Sequence, residues 1–116
     1  MSIINLESKM DLHPMKKIEI IILGEYESLV ANFLIEAGLS GYTLIRNISG
    51  YGHSGFHEGN LLFNDKTIQV MFIAVSCEDR IRQMALKMKD IFKEQAGVMF
   101  ISDVAVSRLD YFKSEI

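Results

Sequence analysis

The sequence predicts an α+β domain built in the order β-α-β-β-α-β. Three observations carry this expectation. Four runs of apolar and β-branched residues have the length or the alternation of strands. Two stretches repeat apolar residues at helical spacing, and each closes on an alanine-glycine pair, Ala37-Gly38 and Ala96-Gly97. A polar, glycine-rich segment separates the second strand from the third.

Residues 1–15 read as an N-terminal arm. His13-Pro14 punctuates it, because the residue before a proline is pushed out of helical conformation. The first strand is 16–23, with Ile18, Ile20 and Ile22 on one face and Lys17, Glu19, Ile21 and Leu23 on the other. Gly24 turns the chain. Residues 25–37 fit a helix with acids in its first turn and an apolar stripe of Leu29, Val30, Phe33, Leu34 and Ala37. Gly38 is placed to cap it. Residues 42–48 form the second strand, 49–66 a loop and 67–75 the third strand. Ser76-Cys77-Glu78-Asp79 has the spacing of a capping box, with Asp in place of Glu or Gln. It would start a helix to about Gln95 that buries Ile81, Met84, Ala85, Met88, Ile91 and Phe92. Met84 and Met88 read as core filler. Residues 98–107 form the fourth strand, and a short polar tail follows.

This order is the split β-α-β, or ferredoxin-like, arrangement: an antiparallel sheet with two helices on one face. The helices can cover only that face. Strand three is nevertheless apolar on both, with Ile68, Val70, Phe72 and Ala74 against Met71, Ile73 and Val75. Strand four sets Val98, Phe100, Val104 and Val106 against Met99, Ile101 and Ala105. An apolar face left to water is unfavourable, so a homo-oligomer assembled through the sheet is expected.

Bulk properties narrow the function. The chain has 116 residues, enough for one domain with a core. A formal net charge of -3 argues against a nucleic-acid partner. No apolar run approaches the roughly 20 residues needed to span a bilayer. The first 14 residues mix Glu7, Lys9 and Asp11 with apolar residues, unlike a signal peptide. Cys77 is the single cysteine, so no intrachain disulfide forms and a cytoplasmic location is expected.

The segment from Gly41 to Gly55 carries the functional signal. A strand-like run ends in Gly50-Tyr51-Gly52-His53-Ser54-Gly55. Glycines admit positive φ angles and close backbone approach, so N–H groups can turn toward an anion. A plain connecting loop is the competing reading of so short a motif. Arg46 stands near the loop root, either to meet phosphate or as a surface strand residue. Tyr42, Tyr51 and Phe56 stack on a base or anchor the loop to the core. His53, His57 and Glu58 offer metal-ligand chemistry, but the glycines work against the helix that would bring two histidines to one face. No serine-histidine-acid or cysteine-histidine set argues for an enzyme. Cys77 reads as a small buried residue at a strand–helix junction, in preference to a thiol activated by the helix.

Placed on this fold, three motifs resemble the PII family of trimeric signalling proteins. Gly41-Tyr42-Thr43 is similar to the family's segment that meets the adenine of a neighbouring subunit's nucleotide. Gly50-Tyr51-Gly52-His53 is similar to the base of its T-loop, here about residues 50–66, which wraps phosphates. Ala96-Gly97-Val98-Met99-Phe100-Ile101, followed by Asp103-Val104, is similar to its B-loop and last strand. The resemblance covers about residues 16–109, leaving the arm and a 110–116 tail. It is nearest to the PII-like group tied to carboxysomes and bicarbonate transport.

The resemblance implies a non-enzymatic homotrimer that binds adenine nucleotide in inter-subunit clefts. Gly41, Tyr42, Thr43, Val75 and Arg108 are expected site residues, as are Arg46, Gly50, Tyr51, Gly52, His53, Ala96, Gly97 and Val98. It further implies a T-loop that orders or releases with ligand and addresses a protein partner, such as a membrane transporter. The chain departs from the nitrogen-regulatory pattern in three ways. Val98 stands where those proteins carry a lysine, Arg108 alone stands for an arginine pair, and the loop is shorter without its modifiable tyrosine. A triphosphate needs such cations to offset its desolvation, so AMP or ADP is the expected ligand, with bicarbonate as a possible companion. The alternative is a metal-responsive protein of the same fold using His53, His57 and Glu58.

Overall fold

The computed structural model describes residues 11–52, 55–57 and 68–115. The main sheet has four strands: β1 (His13–Leu23), β2 (Thr43–Ile48), β5 (Gln69–Ser76) and β6 (Gly97–Val106). Their order is β2-β5-β1-β6, and every pairing is antiparallel. Two helices, α1 (Glu27–Glu36) and α2 (Glu78–Ile91), cross between the strands. This is the expected α+β ferredoxin-like arrangement.

Alternation along the strands builds the core. Ile18, Ile20 and Ile22 of β1 share a face with Val70, Phe72 and Ala74 of β5, and all six are buried. The helices lay Val30, Leu34, Ile81, Met84 and Met88 on this face, also buried. Met84 and Met88 are core filler, as expected. Leu29 is not part of the α1 stripe, because it remains substantially exposed.

Boundaries shift where local geometry overrides pattern. β1 starts at His13, three residues before the expected strand. Its stretch 13–15 pairs with β6 alone, so Pro14 costs no ladder bond on the β5 side. A 3-10 turn, Gly24–Tyr26, precedes α1. Gly38 ends α1 as expected: its φ is 86°. Its N–H bonds the Ile35 carbonyl at 3.0 Å, and the Leu39 N–H bonds the Leu34 carbonyl at 3.2 Å. These are the two bonds of a Schellman end, and Arg80 covers the Gly38 carbonyl.

The N-cap falls one residue later than the expected capping box places it. Ser76 is the last residue of β5, paired with Lys16 and fully buried. Cys77, extended at φ -68° and ψ 160°, is the N-cap of α2 and makes no side-chain capping bond. Glu78 and Asp79 in the first turn supply the charge that the helix dipole favours there. α2 stops at Ile91, short of Gln95. The expected polar tail folds too, as a 3-10 helix from Leu109 to Glu115.

The expected 49–66 loop opens with structure. β3 (Gly50–Gly52) and β4 (Gly55–His57) pair as an antiparallel hairpin, Gly50 opposite His57. It leaves β2 through an irregularity between Arg46 and Ile48, where Asn47 takes a φ of 59°. No helix among the described residues is long and apolar enough to cross a membrane.

Candidate functional site

The expected site residues fall into two groups, one at each end of the sheet. β1 sets the scale. Val75 pairs with Lys17 at one end, and Gly97 pairs with Ile22 at the other. Five residues of strand separate these levels, about 17 Å at some 3.3 Å each. On β2, Thr43 faces Ile73 near the first end, and Ile48 faces Gln69 at the second.

At the first end lies a cleft of about 450 Å³, within the range of small-molecule sites. It is lined by Ser40, Gly41, Tyr42 and Thr43, by Ile73 to Val75, and by Tyr111 and Phe112. Four expected residues therefore meet here: Gly41, Tyr42, Thr43 and Val75. Tyr42 also packs its ring against Phe72, with centroids 5.3 Å apart and planes tilted 56°. It serves as a core anchor and a cleft wall at once. Arg108 reaches this end through Tyr111, its guanidinium 4.3 Å from the ring centroid. Asp110 stands 3.6 Å from the same guanidinium.

At the opposite end a cleft of about 530 Å³ is lined by Gly24, Glu25, Glu27, Ser28, Arg46 and Asn47, over Ile68 and Val70. Arg46 does not point a free charge into it. Its Nε and Nη2 donate to the two carboxylate oxygens of Glu27 at 2.9 and 2.8 Å. These bonds hold the Glu27 carboxyl below its ordinary value, against the opposing effect of burial, and raise Arg46. A bidentate pair of this kind fixes orientation as well as charge. It ties α1 to the strand that leads into the hairpin.

The hairpin and the β6 start stand at this same end. Gly50 is extended, with no positive φ, and a β-carbon there would meet nothing within 4 Å. The expectation of a left-handed glycine fails at Gly50; open space for close approach remains. Tyr51 is 84% exposed, so it is not a loop anchor. Gly97 is required by space: a β-carbon would run into the Phe92 ring and stand 2.8 Å from the Ile21 carbonyl oxygen. Val98 is exposed beside it, as is Ala96.

His53 and Glu58 lie outside the described residues, and His57 is placed only by its backbone in β4. Among the described residues, no group of three histidine, cysteine or acidic side chains could hold a metal ion.

Sequence reasoning missed Tyr111, Phe112 and Glu27. The aromatic pair directly after Arg108-Leu109-Asp110 was the available signal for the first two, hidden by the polar residues around it. Glu27 carried none, since it is 19 positions from Arg46.

The family described as nitrogen regulatory protein P-II matches residues 15–111. A search of curated proteins finds no match. Among solved structures, CPII from Thiomonas intermedia, a nitrogen regulatory PII-like protein bound to ADP, AMP and bicarbonate, is 35% identical. The match covers 89% of this chain and 97% of that one, with a TM-score of 0.83. CPII bound to ADP and bicarbonate is 33% identical over 89% and 98% of the two chains, with a TM-score of 0.79. A putative PII-like signaling protein from Thermus thermophilus shares the fold at 19% identity, with a TM-score of 0.70 over 89% and 99%. The family match spans both ends of the sheet and the strands between them, and on that ground the chain belongs to the nitrogen regulatory protein P-II family, nearest its CPII-type group.

Proposed function

We propose that this chain is a cytoplasmic, non-enzymatic PII-like regulator that binds AMP or ADP in clefts shared between copies of itself. The observation that carries this is the separation of the site residues. Tyr42, Thr43 and Val75 stand at one end of the sheet, and Gly50, Gly97 and Val98 at the other. One chain cannot bring them onto one nucleotide, but two neighbouring copies can. A homotrimer through the open sheet face supplies three such junctions.

The preference for low-charge nucleotides follows from the cations. At the two ends, Arg46 is engaged by Glu27 and Arg108 faces Asp110. Neither offers an unopposed positive charge to a triphosphate, and Val98 adds none. CPII binds ADP and AMP with bicarbonate; bicarbonate is proposed here as a second ligand. The 50–66 loop, in this reading, changes state with ligand and docks on a protein partner, such as a membrane transporter. Ordering a loop costs roughly 1–2 kcal/mol per residue, so only a ligand that touches it can set its state.

Calorimetry with AMP, ADP and ATP, with and without bicarbonate, tests the assignment. AMP or ADP should bind more tightly than ATP. Equal or tighter ATP binding, or no adenine nucleotide binding, contradicts it. Saturable zinc binding lost in His53→Ala and His57→Ala would select the metal-responsive alternative.

A further inference from the structure

We propose that the C-terminal 3-10 helix completes the base pocket, with Tyr111 stacking on the adenine ring. This rests on the nucleotide reading above and assigns the base to a segment that neither the family motifs nor the chain's glycines indicate.

Tyr111 lines the 450 Å³ cleft together with Thr43 and Val75. Tyr111 is 60% exposed, although a tyrosine that only fastened the tail to the sheet would be buried. The Arg108 guanidinium lies over the ring at 4.3 Å and covers one face. A ring has two faces, so the exposed one is available to a flat partner. The cation also favours stacking, because it draws on the ring's negative face from the far side.

The chemistry of the cleft selects the uncharged, planar part of a nucleotide. Ile73 and Val75 give it apolar walls, and Thr43 gives it a hydroxyl for a base edge. Arg108, against the Tyr111 wall, already faces Asp110 at 3.6 Å, and Lys17, paired with Val75, faces Glu19 at 3.4 Å. The phosphate end of the ligand therefore belongs at the other half-site.

The test uses the full chain and three variants: Tyr111→Ala, Tyr111→Phe and Tyr111→Trp. Light scattering first establishes that each keeps the parent's oligomeric state. Tyr111→Ala should weaken AMP binding about tenfold, within the range of a base–aromatic stack. Tyr111→Phe should stay within about twofold of the parent, because stacking needs the ring and not the hydroxyl. The chain has no tryptophan, so Tyr111→Trp gives a clean emission signal. AMP should quench it and ribose 5-phosphate, which lacks the base, should not. If Tyr111→Ala binds AMP like the parent, the stacking assignment is overturned while the nucleotide reading stands. If the parent itself binds no AMP, both fall. Loss of thermal stability in Tyr111→Ala with unchanged AMP affinity assigns Tyr111 to packing alone and also overturns the proposal.

Discussion

On the helix-covered face of the sheet, Ile18, Ile20, Ile22, Val70 and Phe72 are no more than 1% exposed. On the opposite face, Val98 and Phe100 are 40% and 52% exposed, and Ile45 is open as well. The two faces use the same kinds of side chain. The helices α1 and α2 cover the first, save Ile101 at its edge strand; among the described residues no second layer covers the other. Lys17 and Glu19, paired at 3.4 Å, are the main polar interruption there. The chain covers one face of its sheet with its own helices and leaves apolar side chains open on the other, the face proposed above for association. That association is what would bring the two distant half-sites together.

Charge placed on each face separates these roles. Phe72→Asp buries an unpaired carboxylate and removes the ring's packing; at about 3–5 kcal/mol each, the two losses rival the whole stability of a domain of this size. Loss of the cooperative thermal transition would show it. Phe100→Asp should instead give a folded monomer by light scattering, with native circular dichroism. If it unfolds like Phe72→Asp, the open face belongs to the core and the comparison fails.

Two glycines sharpen the contrast at the phosphate end. Gly97→Val forces side-chain atoms against the Phe92 ring and the Ile21 carbonyl oxygen, and should destabilise by about 1–3 kcal/mol in denaturant titrations. Gly50→Val meets open space at an extended residue and should stay within about 0.5 kcal/mol of the parent. It should nevertheless weaken AMP binding, because it blocks backbone approach to phosphate. Equal AMP affinity would remove the hairpin base from the site.

The smallest expected effect concerns the Glu27–Arg46 pair. Arg46 holds the Glu27 carboxyl below its ordinary value of 4.5. A carboxyl depressed on folding stabilises the fold above its unfolded value, and that contribution is lost as pH falls through the lower, folded one. Arg46 is mostly solvated, so the pair should contribute little. Glu27→Gln should remove that increment near neutral pH and narrow its distance from the parent below about pH 4, as urea midpoints would show. A constant difference across that range would assign the effect to packing.

Much of the fold was legible because alternation and helical spacing are local. Ile18-Glu19-Ile20 declares its faces, Met84 and Met88 sit one helical turn apart, and Gly38 marks a helix end that needs a positive φ. The cleft wall from Gly41 to Thr43 was legible for the same reason: its residues are contiguous. What escaped depends on long-range competition. Ser76 has the spacing of a cap, yet pairing with Lys16 in the sheet claims it. Asn47 breaks the register of β2 without any change in hydrophobic pattern. Tyr111 and Phe112 become cleft residues only because the tail folds back across the level of Ile73 and Val75.

In the proposed assembly, each nucleotide cleft draws one half from each of two copies. Complementation between half-site variants tests it most directly. Thr43→Glu spoils the base half and Gly50→Val the phosphate half, each at a position with room on the fold. Either variant alone should bind AMP weakly or not at all. Co-expressed with different tags and purified through both, they should form mixed trimers in which one junction joins two unaltered halves. Calorimetry should then find about one AMP per trimer at close to the parent's affinity. Mixed trimers as inert as their components would contradict the shared cleft and place the nucleotide within a single chain.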